Sequence, residues 1–168
     1  MSRPRIAVAA LALSAAAFVG ITSDESYSST AIIPTRGDVP TLGFGSTTRE
    51  DGSPVRMKDT TTPPKALART LQYIQADEAD MRKTLDGVAL HQAEYDVYID
   101  WRYQYGATAW RSSSMLRELR AGNYPGACQA LLKYRFSAGY DCSTPGNRVC
   151  AGVWTRQLKR HAACMATQ

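Results

Sequence analysis

The residues of this chain best suited to chemistry are carboxylates. Asp24, Glu25, Asp38, Glu50, Asp51 and Asp59 fall in one polar front segment, around the stretch DVPTLGFGST at residues 38–47. Other routes to catalysis are poorly supplied. Neither His91 nor His161 is accompanied by the G-x-S-x-G elbow that presents a serine nucleophile, and His91 reads as a helix-terminus residue. The run GFGST lacks the lysine and the spacing of a phosphate-cradling loop. Cys128, Cys142, Cys150 and Cys164 contain no C-x-x-C and lie far from His91, so no zinc site is expected, and oxidised thiols cannot act as nucleophiles. What remains is paired carboxylates across a cleft, the equipment of glycoside hydrolysis. One is held protonated to donate to a leaving oxygen, and the other is ionised to activate water or stabilise charge. Glutamate is the better donor type, being the slightly weaker acid. Composition does not choose among the six.

The bounds on the whole chain agree with an exported protein. Its 168 residues, 44% of them hydrophobic, fit one compact domain, and a net charge of +5 favours anionic polymers such as acidic wall material. The basic residues are scattered, with no stripe of interleaved aromatics, so nucleic acid is not an expected partner. Arg3 and Arg5 precede a charge-free run, residues 6–21, in which seven of sixteen residues are alanine. Sixteen helical residues reach about 24 Å, against a hydrocarbon core of about 30 Å, so insertion in a membrane is marginal. The run reads either as a secretory signal with an A-x-A site at Ala15-Ala16-Ala17 or as a weak anchor. Four cysteines downstream of such a segment read as disulfides formed in an oxidising compartment. Of the pairings open to them, Cys142–Cys150 is favoured across the turn-forming loop CSTPGNRVC, which leaves Cys128–Cys164 to tie two C-terminal helices.

These carboxylates must be positioned by a front of short strands and a helical body. Residues 22–62 are rich in Ser, Thr, Gly, Pro and Asp with short β-favouring runs, STAII and TLGF, and predict a small hairpin or sheet. Thr61-Thr62-Pro63-Pro64 is a helix start, after which Leu67, Leu71, Ile74, Met81 and Leu85 recur at helical spacing. A second helix is expected from about Gln92 to Gln104, ending at Gly106, and a third after the caps Ser112 to Ser114. Asn123 and Pro125 open a fourth, and VWTRQLKRHAACM makes a fifth.

A longer pattern selects among the acids. Glu25, followed by TLGFGST starting at Thr41, resembles the Glu…T-[IL]-G-x-G-[HST]-[TS] arrangement of the phage lysozymes of glycoside hydrolase family 24. HQAEYDVYIDWRYQYG, RSSSMLRELRAGNYPGAC and GVWTRQLKRHAAC resemble three further segments of that family, in the same order. The match covers about residues 25 to 164. It implies an α+β, lysozyme-like fold, with a small β-containing catalytic lobe at about 22–62 and a larger helical lobe at about 63–168, following a signal or anchor segment at 1–21.

The resemblance implies that Glu25 is the general acid, although Ser26 follows it where glycine is usual. It places Thr41 beside a catalytic water, and Gly43, Gly45 and Gln104 among the substrate contacts. The family's second carboxylate falls, by spacing, on Pro34; Asp38 is the sole acid between Glu25 and Thr41 and is assigned that role. The implied activity is that of an endolysin, a muramidase hydrolysing the β-1,4 bond between N-acetylmuramic acid and N-acetylglucosamine in peptidoglycan, as a monomer with no metal or organic cofactor. The alternatives are a lytic transglycosylase and a non-catalytic exported wall-binding protein on the same fold. The implied location is the host inner membrane, inactive and tethered through residues 6–21, and then the periplasm after release.

Overall fold

The structure, a computed structural model, describes residues 4–34 and 37–168; Arg3, the first of the two flanking arginines, lies outside the described residues. In chain order the elements are β1 (Ile6–Ala7), α1 (Ala15–Asp24), β2 (Ser28–Ile32), β3 (Thr41–Gly43), α2 (Pro63–Thr84) and β4 (Ala89–Leu90). They continue with α3 (Gln92–Arg111), α4 (Ser114–Arg120), α5 (Tyr124–Ala130), β5 (Phe136–Ser137), β6 (Tyr140–Asp141) and α6 (Ala151–Met165). The chain divides into two compact units, Ser14–Ala79 and Met1–Leu13 with Asp80–Gln168. The composition change near residue 62 marks the first turn of α2, and the helix then runs on from one unit into the other. Of the N-terminal run, residues 4–13 fall in one unit and residues 14–21 in the other.

In the unit Ser14–Ala79, α1 begins because Ser14 accepts a hydrogen bond from Ala17 N–H at 3.1 Å, satisfying a donor that the first turn leaves over. Ile21 is buried on its inner face, and the Thr22 hydroxyl donates to the Phe18 and Val19 carbonyls, which lets it be buried too. Strand β2 pairs antiparallel with β3, Ser28 opposite Gly43 and Ile32 opposite Thr41, with an irregularity between. Its other edge is met by residues 59–61, where Ala31 N–H donates to Asp59 O and Thr61 N–H to Ser29 O. The apolar spacing on and just after α2 is as expected at Ile74, Met81 and Leu85, which are buried, and differs from it in the first turns. Leu67 and Leu71 are exposed, while Ala66, Thr70, Ile74 and Glu78 form the buried row. The row starts one residue early because Ala66 meets Gly43, where there is room for a methyl group and no more.

In the other unit, β1 pairs antiparallel with β4, Ile6 opposite Leu90. Val8 and Leu11 are buried, Arg82 donates to the Leu11 carbonyl at 2.7 Å, and Gln92 donates to the Ala12 carbonyl at 2.8 Å. The run that reads as membrane-directed is thus a strand, a short 3-10 turn at Val8–Ala10 and the start of α1. No helix among the described residues is long and apolar enough to cross a membrane. His91 caps α3, its N–H donating to Glu94 at 2.7 Å. Gly106 breaks the helical dihedrals at φ 83° and ψ 168°, and a last turn continues to Arg111, so the expected helix end is a kink. Ser113 and Asn123 cap α4 and α5 through their side chains. Trp101, Tyr98, Trp110, Met115, Leu119 and Leu131 form the core between them. Cys128 pairs with Cys164 and Cys142 with Cys150, as the loop spacing predicts.

Candidate active site

Glu25 sits where a helix gives way to a strand. It is the C-terminal cap of α1: its N–H bonds back to Ile21 O at 3.2 Å while its own backbone is extended, at φ −95° and ψ 137°. The side chain is half-buried at the junction with β2. Across from it stands the β2–β3 hairpin and its tip. Leu42 and Ser46 exchange two backbone hydrogen bonds, 2.9 and 3.0 Å, and close a loop whose two glycines have φ of 66° at Gly43 and 80° at Gly45, conformations that a side chain would strain. A Cβ placed on Gly45 would lie 3.7 Å from Glu25 Oε2, so the carboxylate faces the bare backbone of the hairpin tip. Gly43 is bare for a second reason: a Cβ there would stand 2.8 Å from Ala66 Cβ on α2.

Aromatic packing holds the tip in place. The Tyr27 ring meets the Phe44 ring at 5.3 Å between centroids, and its hydroxyl donates to Thr61 O at 3.3 Å, at the entrance to α2. Two residues beyond Glu25, therefore, the chain is bound both to the residue between the two glycines and to the segment preceding α2.

The remaining expected residues fall as follows. Thr41 opens β3, half-buried, with its hydroxyl donating to Ile32 O at 3.5 Å. Asp38 is exposed in the link ahead of β3. Gln104 belongs to the other unit, on α3, and its side-chain oxygen accepts from Arg160 at 2.7 Å. Two acids of the front segment are committed to structure. Asp59 accepts from Arg49 at 2.7 and 2.8 Å and from Arg56 N–H at 2.8 Å, and these bonds hold its carboxyl below the ordinary aspartate range. Asp51 accepts from the Ser53 hydroxyl and N–H, which lower it likewise. Glu25 is thus singled out by its position against the tip.

The supporting residues Tyr27, Phe44 and Ala66 are not evident from charge patterns. The pair Tyr27 and Phe44 does leave a trace, an aromatic two residues after the acid and another between two glycines; Ala66 leaves none.

The sequence model of the phage lysozyme family, described as phage lysozyme, matches residues 22–160. The chain is 33% identical over 106 residues to the endolysin of Salmonella phage P22, a stretch that is 61% of this chain and 69% of that one. Its fold is similar to that of an endolysin from Escherichia coli O157:H7 phage FAHEc1, with TM-score 0.77, 23% identity and coverage of 95% of this chain and 96% of that one. A crystal structure of a P22 lysozyme variant gives TM-score 0.74 at 24% identity, covering 92% of this chain and 99% of the other. The mixture of helices and small sheets is a lysozyme-like fold, and with the greater part of its length matched the chain belongs to the phage lysozyme family.

Proposed function

We propose that this protein is a muramidase that hydrolyses the β-1,4 bond between N-acetylmuramic acid and N-acetylglucosamine in peptidoglycan, acting as a monomeric endolysin with Glu25 as general acid. The observation that carries the reading is the half-buried Glu25 carboxylate facing the side-chain-free backbone at Gly45. A sugar ring needs close access to the proton donor, and a glycine supplies it where any side chain would intrude. Glu25 donates its proton to the leaving glycosidic oxygen as the bond to the anomeric carbon breaks, and water then adds to that carbon. Asp38 is assigned the water-activating role and Thr41 the positioning of that water.

Glu25→Gln is expected to lower wall cleavage by about 10² to 10⁴ with the fold intact, since the amide keeps the shape and lacks the proton. Retention of a third of the activity overturns the assignment. Asp38→Asn at full activity moves the second role elsewhere. Product ends separate the chemistries: new reducing ends mean hydrolysis, anhydro ends a transglycosylase, and no product a wall binder.

Residues 6–21 are proposed to serve first as a weak membrane anchor that keeps the enzyme inactive at the host inner membrane, and then to leave the bilayer and join the fold in the periplasm. Support comes from the charge-free, alanine-rich run behind Arg3 and Arg5, and from the fact that the same run supplies Val8, Leu11 and Ile21 to the core and forms most of α1. While residues 15–21 lie in a bilayer, Ile21 is withheld from the core and Glu25 from the hairpin tip at Gly45. The N-terminal sequence of soluble periplasmic protein tests this. Retention of Arg5 is expected, and a start at Phe18 or later makes the segment an ordinary signal peptide.

A further inference from the structure

Helix α6 turns its polar residues inward. Gln157 and Arg160 are buried, at 0% and 3% exposure, while Leu158 between them is 45% exposed. A helix held by packing alone directs its leucine to the core, and a buried ion network is at best about as stable as well-packed apolar side chains of the same volume. The inward row of α6 therefore answers a demand other than stability.

That demand is the orientation of one amide. Arg160 donates from Nε to an Asp100 carboxylate oxygen at 2.6 Å and from Nη2 to the Asp100 carbonyl at 3.0 Å, and Arg156 donates to the other carboxylate oxygen at 2.5 Å. Held from that side, the guanidinium donates from Nη1 to Gln104 Oε1 at 2.7 Å and to Gln157 Oε1 at 3.4 Å. Gln157 is fixed in turn, its nitrogen donating to the Tyr105 hydroxyl at 2.9 Å and the Tyr134 carbonyl at 3.1 Å.

A guanidinium carries donors and no acceptor, so Gln104 can meet Arg160 only through oxygen, and the two ends of the amide are assigned by chemistry. The other end, Nε2, makes no hydrogen bond with the described residues and is not buried. Gln104 thus offers two N–H groups outward and no acceptor. A cation on its oxygen also polarises the amide, which strengthens those N–H groups as donors.

We propose that Asp100 and Arg160 are positioning residues that hold the Gln104 amide nitrogen outward, so that it recognises an acceptor oxygen of the glycan, the carbonyl of an N-acetyl group or the carboxylate of the lactyl group; the proposal rests on the muramidase reading above. Asp100 sets Arg160, Arg160 sets Gln104, and Gln104 alone touches the sugar.

The test measures binding of the full chain to a peptide-free tetrasaccharide of alternating N-acetylglucosamine and N-acetylmuramic acid. Gln104→Glu separates the two amide orientations. Its carboxylate keeps the bond to Arg160 and puts oxygen where N–H was, so it is expected to bind about tenfold more weakly than wild type and more weakly than Gln104→Ala. The double variant Arg160→Met with Asp100→Asn removes the cation and the charge it balances together. It is expected to raise the tetrasaccharide Kd and the peptidoglycan KM about threefold with kcat unchanged, the mark of lost binding. The penalty of Gln104→Glu disappears on a tetrasaccharide without N-acetyl groups if the acetamido carbonyl is the acceptor, and on one with its lactyl carboxylates reduced if the lactyl group is. Wild-type protein that does not bind the tetrasaccharide, binding by Gln104→Glu within twofold of wild type, or a folded double variant with unchanged Kd overturns the proposal. Wild-type protein that binds the tetrasaccharide, shows the Gln104→Glu penalty and cleaves no peptidoglycan overturns the muramidase reading and leaves the Gln104 orientation standing.

Discussion

The Glu94 carboxylate is completely buried, and the charge that balances it comes from the N-terminal segment. Arg5 donates to both its oxygens, at 3.1 Å from Nε and 3.0 Å from Nη2, and stacks over the Tyr124 ring with its guanidinium carbon 3.7 Å from the centroid. The other donors to Glu94, His91 N–H and the Gln168 amide, are neutral. Arg5→Met keeps the aliphatic stem and removes the charge, leaving a buried carboxylate uncompensated. Breaking a buried pair from one side costs about 3–5 kcal/mol. The Arg5 side chain is 25% exposed and Glu94 0%, so water screens part of the pair and the lower end, about 3 kcal/mol, is expected. In a protein of 168 residues that lowers the melting temperature by roughly 6–12 °C.

The double variant Arg5→Met with Glu94→Gln is expected to recover most of this loss, because glutamine is neutral and still accepts from His91 N–H. Urea denaturation of the four proteins gives the coupling energy directly. A single Arg5→Met costing under about 1 kcal/mol, or a double variant equal to the sum of the singles, refutes the reasoning, since either means Glu94 is solvated without Arg5.

Three further substitutions test the geometry. Gly43→Ala places a Cβ 2.8 Å from Ala66 Cβ at φ +66° and is expected to cost about 1–3 kcal/mol by thermal melting, whereas Gly45→Ala fits sterically at 3.7 Å from Glu25 Oε2, costs about 1 kcal/mol in strain and lowers turnover more than stability. Burial alone would raise the Asp100 carboxyl, but Arg160 and Arg156, at 2.6 and 2.5 Å, hold it below its ordinary value of 3.8. A depressed carboxyl stabilises the fold above the unfolded pKa and stops doing so as pH falls through the folded one. Acid melting below about pH 4 should therefore be steeper in the wild type than in Asp100→Asn, and parallel curves would remove Asp100 from the account.

Local signals were strong wherever one short-range interaction decides the structure. The starts of α2, α4 and α5 follow from hydroxyl, asparagine and proline positions, and the cysteine loop CSTPGNRVC is short enough to name its own partner. Legibility fails where distant residues decide. Ile74, Met81 and Leu85 are buried as their spacing suggests, but at the start of α2 the small Ala66 packs against Gly43 and the larger Leu67 and Leu71 are on the outside. Gly106 reads as a helix end, yet Trp110 beyond it is fully buried with its indole N–H donating to Thr84, and helix resumes after the kink. The spacing of Glu25 from TLGFGST names two segments that the structure places together, Glu25 Oε2 lying 3.7 Å from a Cβ built on Gly45; the packing of Tyr27 on Phe44 beside them depends on a hairpin that spacing alone does not show.

The anchor role proposed for the N-terminal run requires one sequence to suit two environments. In a bilayer every side chain of residues 6–21 meets lipid, and alanine's small apolar area, at about 25 cal/mol per Å², gives a weak insertion energy. In the folded protein Val8, Leu11 and Ile21 are the buried apolar residues of the run, while six of its seven alanines, at positions 7, 9, 10, 12, 15 and 16, are exposed. Exposed alanine costs the soluble form little, whereas leucine at those positions would deepen the anchor and add apolar surface to the released protein. Under the same proposal Ser14 would suit both states for a different reason. In a continuous membrane helix its hydroxyl can bond back to the carbonyl one turn earlier; in the folded chain it turns forward and caps α1 through Ala17 N–H. The release reading therefore requires small residues at the exposed positions and a hydroxyl at the break, and this segment has both.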